Sequence, residues 1–179
     1  LRGSVCLYQG EELGLPEADV PFERIQDPYG IPLWPVFKGR DGCRTPMVWD
    51  KSPLGGFSTV EPWLPVSKEQ LPLSVAEQEA NPDALLHKVR QLIHWRQQQP
   101  ALVNGELSQR DVDNAHLVAL VREYQGERLL VVLNMTGESQ QATVGTDIMT
   151  ELQGHGFTSA LDGQTLTLPA YQAFFAKLS

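Results

Sequence analysis

Gly39-Arg40-Asp41-Gly42-Cys43-Arg44-Thr45-Pro46-Met47-Val48-Trp49-Asp50 puts two arginines, two aspartates, two glycines, a proline and a tryptophan into twelve residues. Its apolar residues follow neither the alternation of a strand nor the three-to-four spacing of a helix. The glycines permit sharp turns and close backbone approach, and Pro46 drives Thr45 toward extended geometry. Arg44 therefore leaves the chain at a fixed point, with a planar fork of donors suited to a carboxylate or to vicinal hydroxyls. Two uses fit that arrangement. One is a long loop stapled by the ion pairs of Arg40, Asp41 and Arg44; the other is a closed loop that presents a binding arginine.

The stretch lies inside a longer irregular segment. From Pro16 to Trp63, prolines at 16, 21, 28, 32, 35, 46, 53 and 62 break every candidate helix longer than two turns. Phe22, Tyr29, Trp34, Phe37, Trp49, Phe57 and Trp63 argue against disorder, because disordered segments are poor in aromatics. An ordered, packed loop is predicted. Trp34 and Trp49 have two uses open to them, as the local core of that loop or as platforms for a sugar face.

On the N-terminal side, Ser4 to Tyr8 is a short apolar run predicted as a strand buried on both faces, ended by Gln9-Gly10. Glu11 and Glu12 follow at its C-terminal end. On the other side, Ser74 with Glu77 three residues later is a capping-box pattern. Asn81-Pro82-Asp83 is a second helix start. Leu85, Leu86, Val89, Leu92, Ile93 and Arg96 then recur at three and four, which predicts one buried face, and Pro100 is expected to stop that helix. After Gly105 the pattern changes to strands. Leu117–Val121 and Leu129–Leu133 flank a glycine turn at Tyr124-Gln125-Gly126-Glu127. Further strands are predicted at Gln140–Val144, Thr158–Leu161 and Thr165–Leu168, with Asp162-Gly163 turning between the last two, and Tyr171–Leu178 closes the chain. Regular short strands of this kind indicate an antiparallel sandwich.

These motifs carry a resemblance. Gly39 to Trp49 resembles the G-R-D-x-x-R-T-P-M-x-W signature of α-glucosidases in the α-amylase superfamily, glycoside hydrolase family 13. Tyr8-Gln9-Gly10-Glu11-Glu12-Leu13-Gly14 is similar to the end of the eighth barrel strand in those enzymes. Ser74-Val75-Ala76-Glu77-Gln78, Leu92-Ile93-His94-Trp95-Arg96 and the strand Leu129 to Asn134 follow at fitting places. The resemblance covers essentially the whole chain. It implies an α/β plus all-β fold: the end of a (β/α)8 TIM barrel (last strand, long loop, last helices) over residues 1–104, then an antiparallel β-sandwich over 105–179. The start at Leu1, without a methionine, reads as a strand entered midway, so the chain is expected to be the C-terminal portion of a longer enzyme.

The resemblance also implies an activity, retaining hydrolysis of terminal α-glucosidic bonds in short oligosaccharides. Such chemistry needs two carboxylates about 5–5.5 Å apart. In the family, those two and a third aspartate lie on earlier barrel strands, so no catalytic residue is expected among residues 1–179, and Asp27, Asp41 and Glu61 are not substitutes. One contact maps onto the chain. Arg44 occupies the place of the arginine that, in the family, pairs with an upstream aspartate and binds the terminal glucose hydroxyls, with the long loop over the active-site mouth. Val48 departs from the glutamine or proline common before the tryptophan, which leaves α-1,4 against α-1,6 preference open. Sucrose isomerisation, trehalulose synthesis and trehalose-6-phosphate hydrolysis on the same scaffold are alternatives, as is a non-catalytic amylase-like protein or interaction module.

Composition narrows the partners. Among 179 residues, 41% are hydrophobic and 20% charged, as in ordinary globular proteins. A net charge of −8 argues against nucleic acid and anionic membrane surfaces and accommodates a neutral sugar. No run approaches the roughly 18 apolar residues of a membrane span. Cys6 and Cys43 make no disulfide framework, and a reduced cytoplasmic pair is expected. His87 and His94 share a helical face but lack a third ligand, so neither a metal nor a cofactor is expected. The expected partners are an α-glucoside oligosaccharide and the remainder of the (β/α)8 barrel.

Overall fold

The structure is a computed structural model and describes residues 2–179. Its contacts divide the chain into two compact units, Cys6–Val89 and a second unit formed by 2–5 with 90–179.

In Cys6–Val89 the prolines keep regular elements short. Single turns of 3-10 helix occur at Glu11–Leu13, Phe22–Arg24, Asp41–Cys43 and Leu71–Leu73, with helix α1 at Gly30–Leu33 and α2 at Val75–Ala80. Side-chain amides carry much of the cross-linking. Gln78, 6% exposed, donates to the carbonyls of Leu13 (2.8 Å) and Leu73 (3.0 Å) and accepts from the Leu86 backbone N–H (3.0 Å). Val20, Ile25 and Leu64 form a small buried cluster against which Trp34 packs, so this tryptophan belongs to the core of the loop. Phe22 lies 5.7 Å from it, ring to ring.

Three local expectations change in the structure. Ser4–Tyr8 forms no ladder, and Val5, Leu7 and Tyr8 are exposed. A parallel strand takes both its hydrogen bonds and its burial from neighbours, and none lies beside it among the described residues. Ser74 does precede α2, but its hydroxyl makes no capping bond and is buried without a partner. The first amides of α2 go instead to backbone: Val75 N–H to the Val48 carbonyl (3.1 Å) and Ala76 N–H to that of Trp49 (3.0 Å). Asn81 accepts from Asp83 N–H and closes a turn, so the next helix, α3, begins later, at Leu85, and runs to Gln97. Pro100 opens a further helix, α4 (Pro100–Asn104), as well as marking the end of α3.

In the second unit the strands are β1 (Glu106–Gln109), β2 (Leu117–Tyr124), β3 (Glu127–Asn134) and β4 (Gln140–Thr143). Four more follow: β5 (Ile148–Glu151), β6 (Ala160–Asp162), β7 (Thr165–Leu168) and β8 (Ala173–Leu178). They form a five-stranded sheet ordered β1-β2-β3-β8-β5 and a three-stranded sheet ordered β4-β7-β6, with every pairing antiparallel. The β2–β3 hairpin runs in register from Leu117 opposite Asn134 to Tyr124 opposite Glu127. Its two-residue turn, Gln125 and Gly126, has φ of 50° and 85°, the sense that matches strand twist.

Alternation sends Leu117, Ala119, Val121, Leu130, Val132, Phe174 and Ala176 toward Ala142, Leu166 and Leu168, and these fill the sandwich core. The opposite face of the large sheet is apolar too: Leu120, Leu129, Val131 and Phe175 are covered by Trp95 and by Ala101 and Leu102 of α4. That is why β2 and β3 read as continuous apolar runs rather than alternating ones. Asn134, 2% exposed, ends β3 by donating to the carbonyls of Leu168 (3.1 Å), Pro169 (2.8 Å) and Glu138 (2.8 Å), which pins one sheet to the other.

Candidate functional site

The Gly39–Asp50 stretch organises its surroundings through two buried aspartates with different work. Asp27 is fully enclosed. Its Oδ2 accepts from the Arg40 backbone N–H (2.8 Å) and Nε (2.7 Å), and its Oδ1 from Arg40 Nη2 (3.0 Å) and Tyr29 N–H (3.1 Å). The hydrogen bond from the Arg40 guanidinium, more than any other contact, holds the Asp27 carboxyl well below the usual carboxylate range. Arg40 also lies over the Tyr29 ring, 5.4 Å from its centre. Its fork is thereby committed to structure.

Asp41, 1% exposed, opens the next turn. Its Oδ2 takes two short bonds from the backbone N–H groups of Gln26 (2.6 Å) and Asp27 (2.7 Å). Its Oδ1 has no hydrogen-bond partner. Gly42 lies so close to the preceding segment that a Cβ there would sit 2.5 Å from the Ala18 carbonyl oxygen and 2.6 Å from Glu17 Cγ. The Ala18 N–H donates to the Gly42 carbonyl at 3.0 Å, which fixes the approach.

Arg44 follows this turn. Its backbone N–H bonds to the Asp41 carbonyl (2.9 Å), but its side chain is 39% exposed and its nearest acid oxygen, Asp41 Oδ1, is 4.0 Å from Nη1. It borders an open cleft of about 500 Å³ also lined by Tyr8, Glu17, Phe57, Trp63 and Gln70. Tyr8 donates its hydroxyl to the Cys43 carbonyl (3.1 Å), and Gln70 bonds to Thr45 Oγ1 (3.3 Å) and to the Pro16 carbonyl (2.7 Å). The wall beside Arg44 is thus held from both sides. A guanidinium facing such a cleft offers several donors to a neutral polyol.

The other sequence candidates separate. Trp34 is half-buried in the loop core, while Trp49 is exposed but is not among the residues lining this cleft. Glu11 and Glu12 accept from the backbone N–H groups of Tyr8 (3.2 Å) and Gly10 (2.8 Å) and so close their own turn. Glu61 pairs with Arg24 at 3.2 Å. Tyr8, Gln70, Phe57 and Trp63 were not singled out by sequence as cleft residues. Only the exposed aromatics carried a signal, and it was shared by seven residues of the segment. Among the described residues no group of three or more His, Cys, Asp or Glu is placed to hold a metal ion. No helix among them is long and apolar enough to cross a membrane.

Comparison with known proteins agrees with this architecture. The family described as "Alpha amylase, catalytic domain" matches residues 1–105, and the "Alpha-amylase SusG C-terminal domain" matches residues 117–174. The chain belongs to the α-amylase family, glycoside hydrolase family 13. It is 45% identical over its whole length to a probable alpha-glucosidase of Rhizobium meliloti (strain 1021), of which it covers 32%. It also superposes along its full length on the solved alpha-glucosyl transfer enzyme XgtA, with a TM-score of 0.95, 38% identity and 34% of that chain covered. The trehalulose synthase MutB of Pseudomonas mesoacidophila MX-45 gives 0.79 and 27% over 96% of this chain and 35% of its own. The chain therefore spans about a third of the length of the proteins it matches. Its fold is that of the end of a family 13 barrel enzyme followed by the C-terminal sandwich.

Proposed function

We propose that the chain is the C-terminal part of a retaining exo-α-glucosidase that hydrolyses terminal α-glucosidic bonds of short oligosaccharides. Residues 1–104 close the catalytic barrel, residues 105–179 form its sandwich domain, and the catalytic carboxylates lie elsewhere in the polypeptide. The supporting observation is the contrast between the two arginines of one loop: Arg40 is locked on Asp27, whereas Arg44 faces the cleft with its fork free of close bonds. In this reading Arg44 donates to the hydroxyls of the terminal glucose and limits the pocket to exo-action, with a neutral α-glucoside as ligand and the remainder of the barrel as structural partner. The working compartment is the cytoplasm, where the exposed Cys6 and Cys43 stay reduced.

The test is p-nitrophenyl α-glucoside hydrolysis by the full-length protein and its Arg44→Ala variant. Loss of a charged hydrogen-bond partner costs about 2–4 kcal/mol, a fall in kcat/KM of roughly 30- to 700-fold. Unchanged kinetics remove Arg44 from the site. The same assay on residues 1–179 alone is expected to give no nitrophenol. A second reading, glucosyl transfer or sucrose-to-trehalulose isomerisation, draws support from the likeness to XgtA and MutB. Product analysis with maltose and with sucrose separates it: glucose release supports hydrolysis, and longer oligosaccharides or trehalulose support the alternative.

A further inference from the structure

A glutamine amide carries a donor and an acceptor in one plane, and Gln70 uses both. The residue is only 3% exposed although it borders the Arg44 cleft. Nε2 donates at 2.7 Å to the Pro16 carbonyl, an oxygen that can only accept, and this settles which way the amide lies. Oε1 is thereby turned to the Thr45 hydroxyl, which donates to it at 3.3 Å. Thr45 follows Arg44 in the chain and Glu17 follows Pro16, and all four line the cleft. One buried side chain thus spans two segments of the wall. Those segments have a second tie, from the Ala18 N–H to the Gly42 carbonyl at 3.0 Å. Arg44 lies between the two ties.

Gln70 is itself well anchored. Its N–H donates to the Ser67 carbonyl (3.2 Å) and its carbonyl accepts from Leu73 N–H (2.9 Å), at the head of the Leu71–Leu73 turn. That turn leads into α2, whose first amides hold the Val48 and Trp49 carbonyls. The amide therefore reaches Thr45 from a segment already fixed to the same loop. Every one of these bonds is made within Cys6–Val89, so none depends on a group supplied by the rest of the barrel.

We propose that Gln70 is a positioning residue for Arg44: its amide fixes the point at which the arginine leaves the chain, relative to the Pro16–Glu17 side of the cleft. This rests on the reading of Arg44 as the sugar-binding arginine. The plane of the Arg44 fork is left to the upstream aspartate that the family resemblance implies. Gln70 sets where that fork starts from, and it touches no sugar, because both ends of its amide are already bonded within the wall.

Gln70→Leu in the full-length protein keeps most of the bulk and removes both bonds. The expected result is a fall in kcat/KM for p-nitrophenyl α-glucoside of about tenfold to a hundredfold, the scale of an ångström's misplacement. In an Arg44→Ala background the same substitution is expected to add almost nothing. A merely structural glutamine would lower kcat/KM by the same factor in both backgrounds, and that outcome overturns the proposal. Wild-type kinetics for Gln70→Leu, beside an impaired Arg44→Ala, overturn it too while leaving the functional reading intact. Unchanged kinetics for Arg44→Ala overturn the functional reading and this proposal with it. Where Gln70→Leu does not fold, Thr45 decides. Thr45→Val removes the hydroxyl and should lower kcat/KM, and Thr45→Ser, which restores it, should recover most of that loss. A serine no better than valine, or a valine with wild-type kinetics, refutes the link from Gln70 to Arg44.

Discussion

Gly42→Ala adds one methyl group at the tightest contact near the cleft, and its consequence can be worked through. The new Cβ would lie 2.5 Å from the Ala18 carbonyl oxygen and 2.6 Å from Glu17 Cγ, where ordinary contact begins near 3.4 Å. The Glu17 side chain can swing aside, but the Ala18 carbonyl is backbone and must retreat by about 0.9 Å. That motion strains the 3.0 Å bond between Ala18 N–H and the Gly42 carbonyl. Overpacking of this kind costs about 1–3 kcal/mol, and the stiffer unfolded chain returns about 0.4–1 kcal/mol, so a net loss of about 1–2 kcal/mol is expected. Arg44 lies two residues on, after the same turn, and its donors move with it. Displacement of a binding group by an ångström lowers turnover by about a hundredfold at most. The assay is the urea midpoint of the full-length protein together with kcat/KM on p-nitrophenyl α-glucoside. A variant with wild-type midpoint and wild-type kinetics refutes the reasoning, because it means the Gly42–Ala18 approach is not as close as described.

Two further outcomes test the sandwich. Phe174 is fully buried between the sheets, so Phe174→Ala is expected to cost about 3–5 kcal/mol, read as a lowered urea midpoint with the m-value unchanged. His155, 3% exposed, bonds through Nε2 to the Leu152 carbonyl (2.9 Å), accepts from Phe157 N–H at Nδ1 (3.1 Å) and packs against Trp95 and Phe175, with Glu151 the nearby acid; burial pushes its pKa below the usual histidine value. The unfolded chain then takes the proton first as pH falls below about 6.5, so stability is full above that value and erodes beneath it. His155→Gln should flatten the slope of urea midpoint against pH between 7.5 and 5, and an unchanged slope places the titration elsewhere.

The strands with buried side chains were legible because their signals are local and redundant. Leu117–Val121, Leu129–Leu133 and Thr165–Leu168 appear as strands at or around those residues, and Gln125-Gly126 turns between the first two. Both edge strands of the large sheet, β1 and β5, were missed for the converse reason. Glu106–Gln109 and Ile148–Glu151 bury little, so they carry no apolar pattern, and only their neighbours make them strands. Ser4–Tyr8 has the composition of a strand but forms no ladder, because no strand lies beside it among the described residues. Helix starts fared similarly. Ser74 and Asn81 mark the right places, yet the carbonyls of Val48 and Trp49 do the capping expected of a hydroxyl, a tertiary substitution that no local pattern announces. Around the cleft, sequence identified Arg44 through its motif. It could not find Gln70, 26 positions beyond Arg44, because an amide that bridges Thr45 and Pro16 has no signature apart from the contacts themselves.

Arg40 and Arg44 stand four residues apart in one loop, and their surroundings differ in how the two nearby acids are used. Asp27 accepts with both oxygens from one guanidinium and two backbone amides, which consumes its charge and fixes Arg40 in place. Asp41 gives one oxygen to the backbone amides of Gln26 and Asp27, and its other oxygen makes no hydrogen bond among the described residues. A second arginine bound as tightly as the first would stiffen the loop further, but its donors would be saturated before a sugar arrived. The two pairs also share a joint, since the amide of Asp27 donates to Asp41 at 2.7 Å. The locked pair therefore supports the turn from which Arg44 leaves the chain, and loosening Arg40 should reach the cleft through that bond even though Arg40 does not line it.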